Sequence, residues 1–240
     1  MSHAWDYEAR MAADANALER AAFIRRTYAH LAVAILAFVG LETVLLRFVN
    51  IDPLMHSMLR GGNWGMLILL VAFVGCGWLA QSWAQSGSSR AVQYAGLGLY
   101  VVLQAAIFLP LLWFADRYFP GQHLIETAGI MTLTVFGGLT AAVFVTRKDF
   151  SFLRTILTVG GFIAIGLVVC AMLFHLPLGV WFSFAMVALA CGYILYDTSN
   201  VLHHYRTDQY VAAALALFAS VALLFYYILL ILLQSANNRR

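Results

Sequence analysis

Asp197 is an acid inside an apolar run. It lies in the stretch Gly192-Tyr193-Ile194-Leu195-Tyr196-Asp197-Thr198-Ser199-Asn200, with His203 and His204 about two turns of helix further on. Carboxylates at membrane depth are costly and are kept mainly where they face a partner, a water cavity, or a proton or ion path. The chemistry on offer is exchange of a proton or attraction of a cation. Counting from the turn at 206–209, Asp197 is roughly 15 Å down its helix at 1.5 Å per residue. The same count up the next helix reaches Ser220, whose hydroxyl can donate to the carboxylate. One reading makes Asp197 and Ser220 a proton-linked or ion-linked site. The other makes Asp197 a helix-end carboxylate that reaches interfacial water and bonds to Ser220 or Asn200. The first is preferred, because a structural contact in lipid rarely requires an acid.

The other polar residues admit two readings each. His203 and His204 are secondary proton-linked candidates, since imidazole exchanges protons near neutral pH, or simply interfacial side chains at a helix end. Glu42, within the first apolar run, and Glu126, opening the fourth, join Asp52 and Asp116 on one side of the chain. They form either an acidic mouth that concentrates cations or ordinary rim pairs with Arg47, Arg60 and Arg117. Cys76, Cys170 and Cys191 show no metal spacing and read as packing residues. No metal site and no resident cofactor are expected. Nor is an enzyme expected. The last apolar run has no acid between Tyr210 and Gln234, and Ser220 has no histidine at its depth.

These residues need helices in lipid to hold them. The chain has 240 residues, 63% hydrophobic and 10% charged, whereas soluble domains carry about 25% charged residues. Its net charge of +3 is small and dispersed, which excludes a nucleic-acid partner and leaves the lipid bilayer as solvent. A spanning helix needs about 20 apolar residues, and seven windows qualify: 27–49, 64–84, 91–115, 124–146, 151–174, 178–204 and 210–233. The predicted organisation is a tail at 1–26, a seven-helix transmembrane domain at 27–233 and a short tail at 234–240. Residues 1–26 are polar and lack a cleavable signal pattern; residues 1–23 form either a short surface helix or a floppy tail. Arginine and lysine concentrate on the side of residues 1–26, 90, 147–154 and 206, which predicts a cytoplasmic N-terminus. The pairs Gly137-Gly138 and Gly160-Gly161 predict close helix contacts within or between copies.

Two segments carry a resemblance. Thr146-Arg147-Lys148-Asp149-Phe150-Ser151-Phe152-Leu153, then Gly192 through Asp197, a short basic turn and a final apolar helix resemble the Bax inhibitor family of membrane proteins. The likeness runs from Arg25-Arg26-Thr27-Tyr28 to the last helix. It implies an all-α membrane protein in which six helices surround a central seventh. It also implies a calcium leak gated by pH through two aspartates on the last two helices. Asp197 matches the first. The position of the second is Ser220, at the end of Ala214-Leu215-Ala216-Leu217-Phe218-Ala219-Ser220; Leu223 replaces a later polar residue, and Gln81 and Gln85 stand where some relatives carry a basic one. A shared-proton pair needs two carboxyls, and this pair has one. The serine resembles the bacterial YccA-like branch, which implies an inner-membrane location. That branch also implies an alternative, non-conducting role: modulator or substrate of the membrane AAA protease FtsH, acting through residues 1–26.

Overall fold

A computed structural model describes residues 11–53, 55, 74–84 and 89–238, and every structural statement below concerns these residues. They are helical almost throughout. We label the helices α1 (Ala17–Phe48), α2 (74–84), α3 (Arg90–Tyr118), α4 (Leu124–Thr146), α5 (Leu153–Phe174), α6 (Val180–His203) and α7 (Tyr210–Asn237). All but α2 are long and apolar enough to cross a membrane. The predicted second window is described only over 74–84; its part at 64–73 lies outside the described residues, as do residues 1–10 of the tail. The seven-helix expectation holds.

The first helix starts well before its apolar window. Asn16 caps it, its Oδ1 accepting the Glu19 N–H at 2.9 Å, and Glu19 sits in the first turn where the helix dipole favours an acid. Residues 17–26 therefore continue α1 instead of forming a separate surface helix or a loose tail. Ahead of the cap, Ala12 N–H bonds the Tyr205 carbonyl at 2.8 Å and Met11 bridges to Arg206. Met11 and Ala12 and the α6–α7 turn thus share one side of the bundle.

Lipid gives no hydrophobic reason for helices to associate, so close packing and polar contacts decide the arrangement. The central member is α7, whose most apolar stretch is 50% buried against 11% for α5. It packs directly on α1, α3, α4 and α6, while α5 rests on α6. Small residues set the approach distances. A Cβ on Gly96 of α3 would lie 2.6 Å from the Ala80 carbonyl oxygen of α2, so glycine is what lets these two backbones touch. On α5, Gly160 and Gly161 make room for Leu189 and the Tyr193 hydroxyl of α6. Gly137 and Gly138 meet nothing within 4 Å.

Candidate functional site

The polar centre lies on the last two turns of α6, where Asp197, Thr198 and Ser199 are all buried. Successive helical residues point about 100° apart, so three consecutive polar side chains face three different neighbours.

Asp197 faces α7. Ser220 Oγ donates to its Oδ2 at 2.5 Å, and the two residues are 8% and 5% exposed. The helices are antiparallel neighbours joined by a short turn, which is why equal counts from the turn bring these two to one level. No cation stands beside the carboxylate; the groups that sense its charge are the phenols of Tyr100, Tyr193 and Tyr205. Tyr205, in the turn, is held above the ordinary phenol range, first by burial and then by the negative Asp197. Gln104 Nε2 donates to Tyr100 Oη at 3.4 Å, extending polar atoms one turn along α3.

An aromatic layer follows. Phe38 of α1 packs edge-on against Phe108 of α3 at 5.1 Å and against Phe218 of α7 at 6.1 Å. Phe108 in turn stacks on Phe225 at 5.5 Å. Glu42 lies one turn past Phe38 on α1, buried, with neither carboxyl oxygen hydrogen-bonded among the described residues.

Thr198 points toward α1 and α4. Its hydroxyl gathers with those of Tyr28 and Thr140, near enough for mutual influence yet without a well-formed hydrogen bond. Ser199 points toward the α4–α5 loop, where its Oγ accepts the Phe150 N–H at 2.9 Å and lies 3.4 Å from the Lys148 carbonyl, to which it donates. Within that loop Asp149 Oδ1 accepts the Ser151 N–H at 2.8 Å, and Oδ2 lies 3.6 Å from His204 Nε2. Asp149 is held below the usual carboxylate range. Its slight burial works the other way, but the Ser151 N–H and the nearby imidazoles of His204 and His203 outweigh it. The loop segment Lys148–Phe150 and the Tyr196–Ser199 segment are therefore two sides of one contact. Sequence reasoning noted both segments separately and missed that they touch. The signal available was Ser199 itself, the third of three consecutive polar residues in an apolar run.

The remaining sequence-predicted residues do not join this centre. Glu126 is exposed at the start of α4, 3.7 Å from His123. Asp52 accepts the Trp113 indole N–H at 2.8 Å. Among the described residues neither Arg47 nor Arg117 forms an ion pair with any of these acids, so the expected rim pairs are not seen there. His204 sits against Asp149, and His203 has a buried Nε2 without a partner. Among the described residues no three His, Cys, Asp or Glu side chains gather as metal ligands.

A family model described as "Inhibitor of apoptosis-promoting Bax1" matches residues 20–238. An uncharacterised protein of Pseudomonas aeruginosa is 30% identical over 200 residues, 82% of either chain. A BI1-like protein of Arabidopsis thaliana is 31% identical over 208 residues, 83% of this chain and 75% of the relative. The Escherichia coli protein named "Modulator of FtsH protease YccA" is 34% identical over 91 residues, 38% of this chain and 41% of the relative.

Proposed function

The chain belongs to the Bax inhibitor family of multi-pass membrane proteins, and from that premise we propose that it is a proton-regulated cation leak with Asp197 as the controlling group. The observation that carries this reading is the Asp197–Ser220 contact: a buried carboxylate bonded to one hydroxyl of the central helix, with no cation beside it. Ionised, it attracts a cation and accepts from Ser220. Protonated, it loses both that attraction and the stronger, charge-assisted form of the bond. The tie between α6 and α7 thus depends on one proton. Calcium is the proposed cargo, passing without a resident site, and no catalytic step is assigned to any residue. We place the chain in a bacterial inner membrane with its N-terminus cytoplasmic, as the distribution of arginines supports. The test is calcium flux into liposomes holding the purified protein, below, at and above neutral pH, for wild type and Asp197→Asn. A pH-dependent flux that the variant loses or alters is expected. Flux no greater than empty liposomes at every pH would overturn the leak.

A second reading has its own support. One relative carries the name of an FtsH protease modulator, and Met11 and Ala12, which follow residues 1–10 in sequence, pair with Arg206 and Tyr205 at the α6–α7 turn. On this reading those residues meet a membrane AAA protease and no ion need pass. Deleting residues 2–10 leaves the Ala12–Tyr205 bond and the Asn16 cap in place. Turnover of membrane substrates by FtsH should then respond to the deletion and not to Asp197→Asn; the opposite pattern refutes it.

A further inference from the structure

Glu42 is 4% exposed, and both of its carboxyl oxygens are shut off from solvent without a hydrogen-bond partner among the described residues. The helices packed on α1 are α3 and α7. By register they offer Phe108 and Leu112 from α3 and Phe225 and Tyr226 from α7. Among the described residues, the titratable or charged groups placed nearest by register are the Tyr226 phenol, Asp116 near the end of α3, Asp52, and Arg47 on α1 itself; Arg117 and Glu126 lie further along that side. None of them bonds or ion-pairs with Glu42, and Asp52 is already engaged by Trp113.

An isolated ionised carboxylate in such a place costs several kcal/mol even after the surroundings relax. Something must neutralise it. A hard metal ion needs several oxygen ligands, and no such cluster exists among the described residues. The remaining neutraliser is a proton. Position adds the second part of the argument. Phe38, one turn before Glu42, packs edge-on against Phe108 and Phe218; Tyr100 meets Phe218 at 6.2 Å, and Ser220, which bonds Asp197, follows Phe218 by two residues on α7.

We propose that Glu42 is a second proton-exchange site, joined to the Asp197–Ser220 pair through the Phe38–Phe108–Phe218 cluster. When water reaches it, the carboxyl O–H bond breaks, the proton passes to water and a carboxylate remains; return of a proton from water closes the cycle. The link to Asp197 rests on the leak reading above. The protonation of Glu42 does not.

The test is infrared spectroscopy of the full-length protein in phosphatidylcholine–phosphatidylglycerol vesicles at neutral pH. Glutamate labelled with carbon-13 at the side-chain carboxyl identifies the bands of this residue type without any mutation. The label also marks Glu8, Glu19 and Glu126, so the comparison with Glu42→Gln is what assigns a band to Glu42. A protonated-carboxyl band that shifts with the label, persists in Asp197→Asn and disappears in Glu42→Gln is expected. It should also move on transfer to heavy water, since the site exchanges. No label-sensitive protonated band in the unmutated protein overturns the proposal, and a band insensitive to heavy water overturns the exchange. Calcium flux read on the same vesicles separates the two ideas: a Glu42 band without flux refutes the leak and leaves the proton site standing.

Discussion

Replacing Ser220 with alanine removes the one hydrogen bond that Asp197 makes to α7. The side-chain loss is a single oxygen at a residue 5% exposed, so no large cavity opens and the effect isolates the bond. A bond to a charged group contributes roughly 1.5–3 kcal/mol and one to a neutral group roughly 0.5–1.5. Measured couplings between helices in a bilayer are smaller, averaging about 0.6 kcal/mol with a maximum near ~1.7, because the unfolded chain in lipid also finds partners. With both groups buried and one of them charged, this pair belongs at the upper end of the bilayer range, so a coupling of about 1–1.7 kcal/mol is expected where Asp197 is ionised. The assay is a double-mutant cycle of Ser220→Ala, Asp197→Ala and the double variant, with unfolding followed in mixed micelles. The sign with pH is fixed by the chemistry. Ser220 donates best to a carboxylate, so the coupling is present above the titration of Asp197 and shrinks as pH falls through it. A coupling below about 0.3 kcal/mol, within the additivity error of independent sites, would refute a tie between α6 and α7. A sizeable coupling that ignores pH would refute the claim that a proton controls it.

Three further outcomes follow from particular contacts. Ser199→Ala leaves the Phe150 N–H without its acceptor and should cost about 1 kcal/mol, read as faster amide exchange over 150–152; unchanged exchange would mean the clasp between α6 and the α4–α5 loop is dispensable. Asp149, held below the usual carboxylate range by the Ser151 N–H and the imidazoles against slight burial, contributes stability that is present above about pH 3.9, the value for a free aspartate, and is lost as pH falls through its own lower value. Protection of that loop should therefore fade only in strong acid, and Asp149→Ala should abolish the pH step. Gly96→Ala drives a Cβ to 2.6 Å from the Ala80 carbonyl oxygen and should destabilise by about 1–3 kcal/mol. Gly137→Ala meets nothing within 4 Å and should be neutral or stabilise the helix by up to about 1 kcal/mol; equal melting temperatures for the two variants would contradict the close contact at Gly96.

The helices were legible because lipid forces them. Apolar runs of sufficient length must be helical to satisfy their backbones, and the breaks at Pro53, Gly121, Asp149, Pro177 and Asp208 are strong punctuation. The Asp197–Ser220 pairing was legible for a narrower reason: a short turn joins two antiparallel helices, so depth can be counted. Nothing comparable holds for Ser199 and Phe150 or for Thr198 and Tyr28. Their partners lie 49 and 170 positions away in sequence, and no count from a turn relates them. The choice between an acidic mouth and rim pairs was not legible for the same reason. Sharing a side of the membrane says nothing about facing one another, and Glu126 and Asp52 each found a local partner.

The three consecutive polar residues of α6 are not equivalent, and the difference supports the role proposed for Asp197. Ser199 is fully used: its hydroxyl accepts from Phe150 N–H and has carbonyl and carboxylate oxygens within donating range. Thr198 faces hydroxyls, which neither carry charge nor hold a charge in place. Both can serve as anchors that set the rotation and depth of α6 where lipid supplies no hydrophobic drive. Asp197 is different because its capacity exceeds its use. An ionised carboxylate has about four acceptor sites, and Ser220 fills one. The unfilled sites are a cost that an anchor would not carry, since asparagine would hold the same bond without a charge. With α6 already fixed by its two neighbours, the surplus acceptor capacity of Asp197 is directed at α7, the helix around which the rest of the bundle is built. A proton arriving there changes one contact of the central helix and leaves the anchors of α6 untouched.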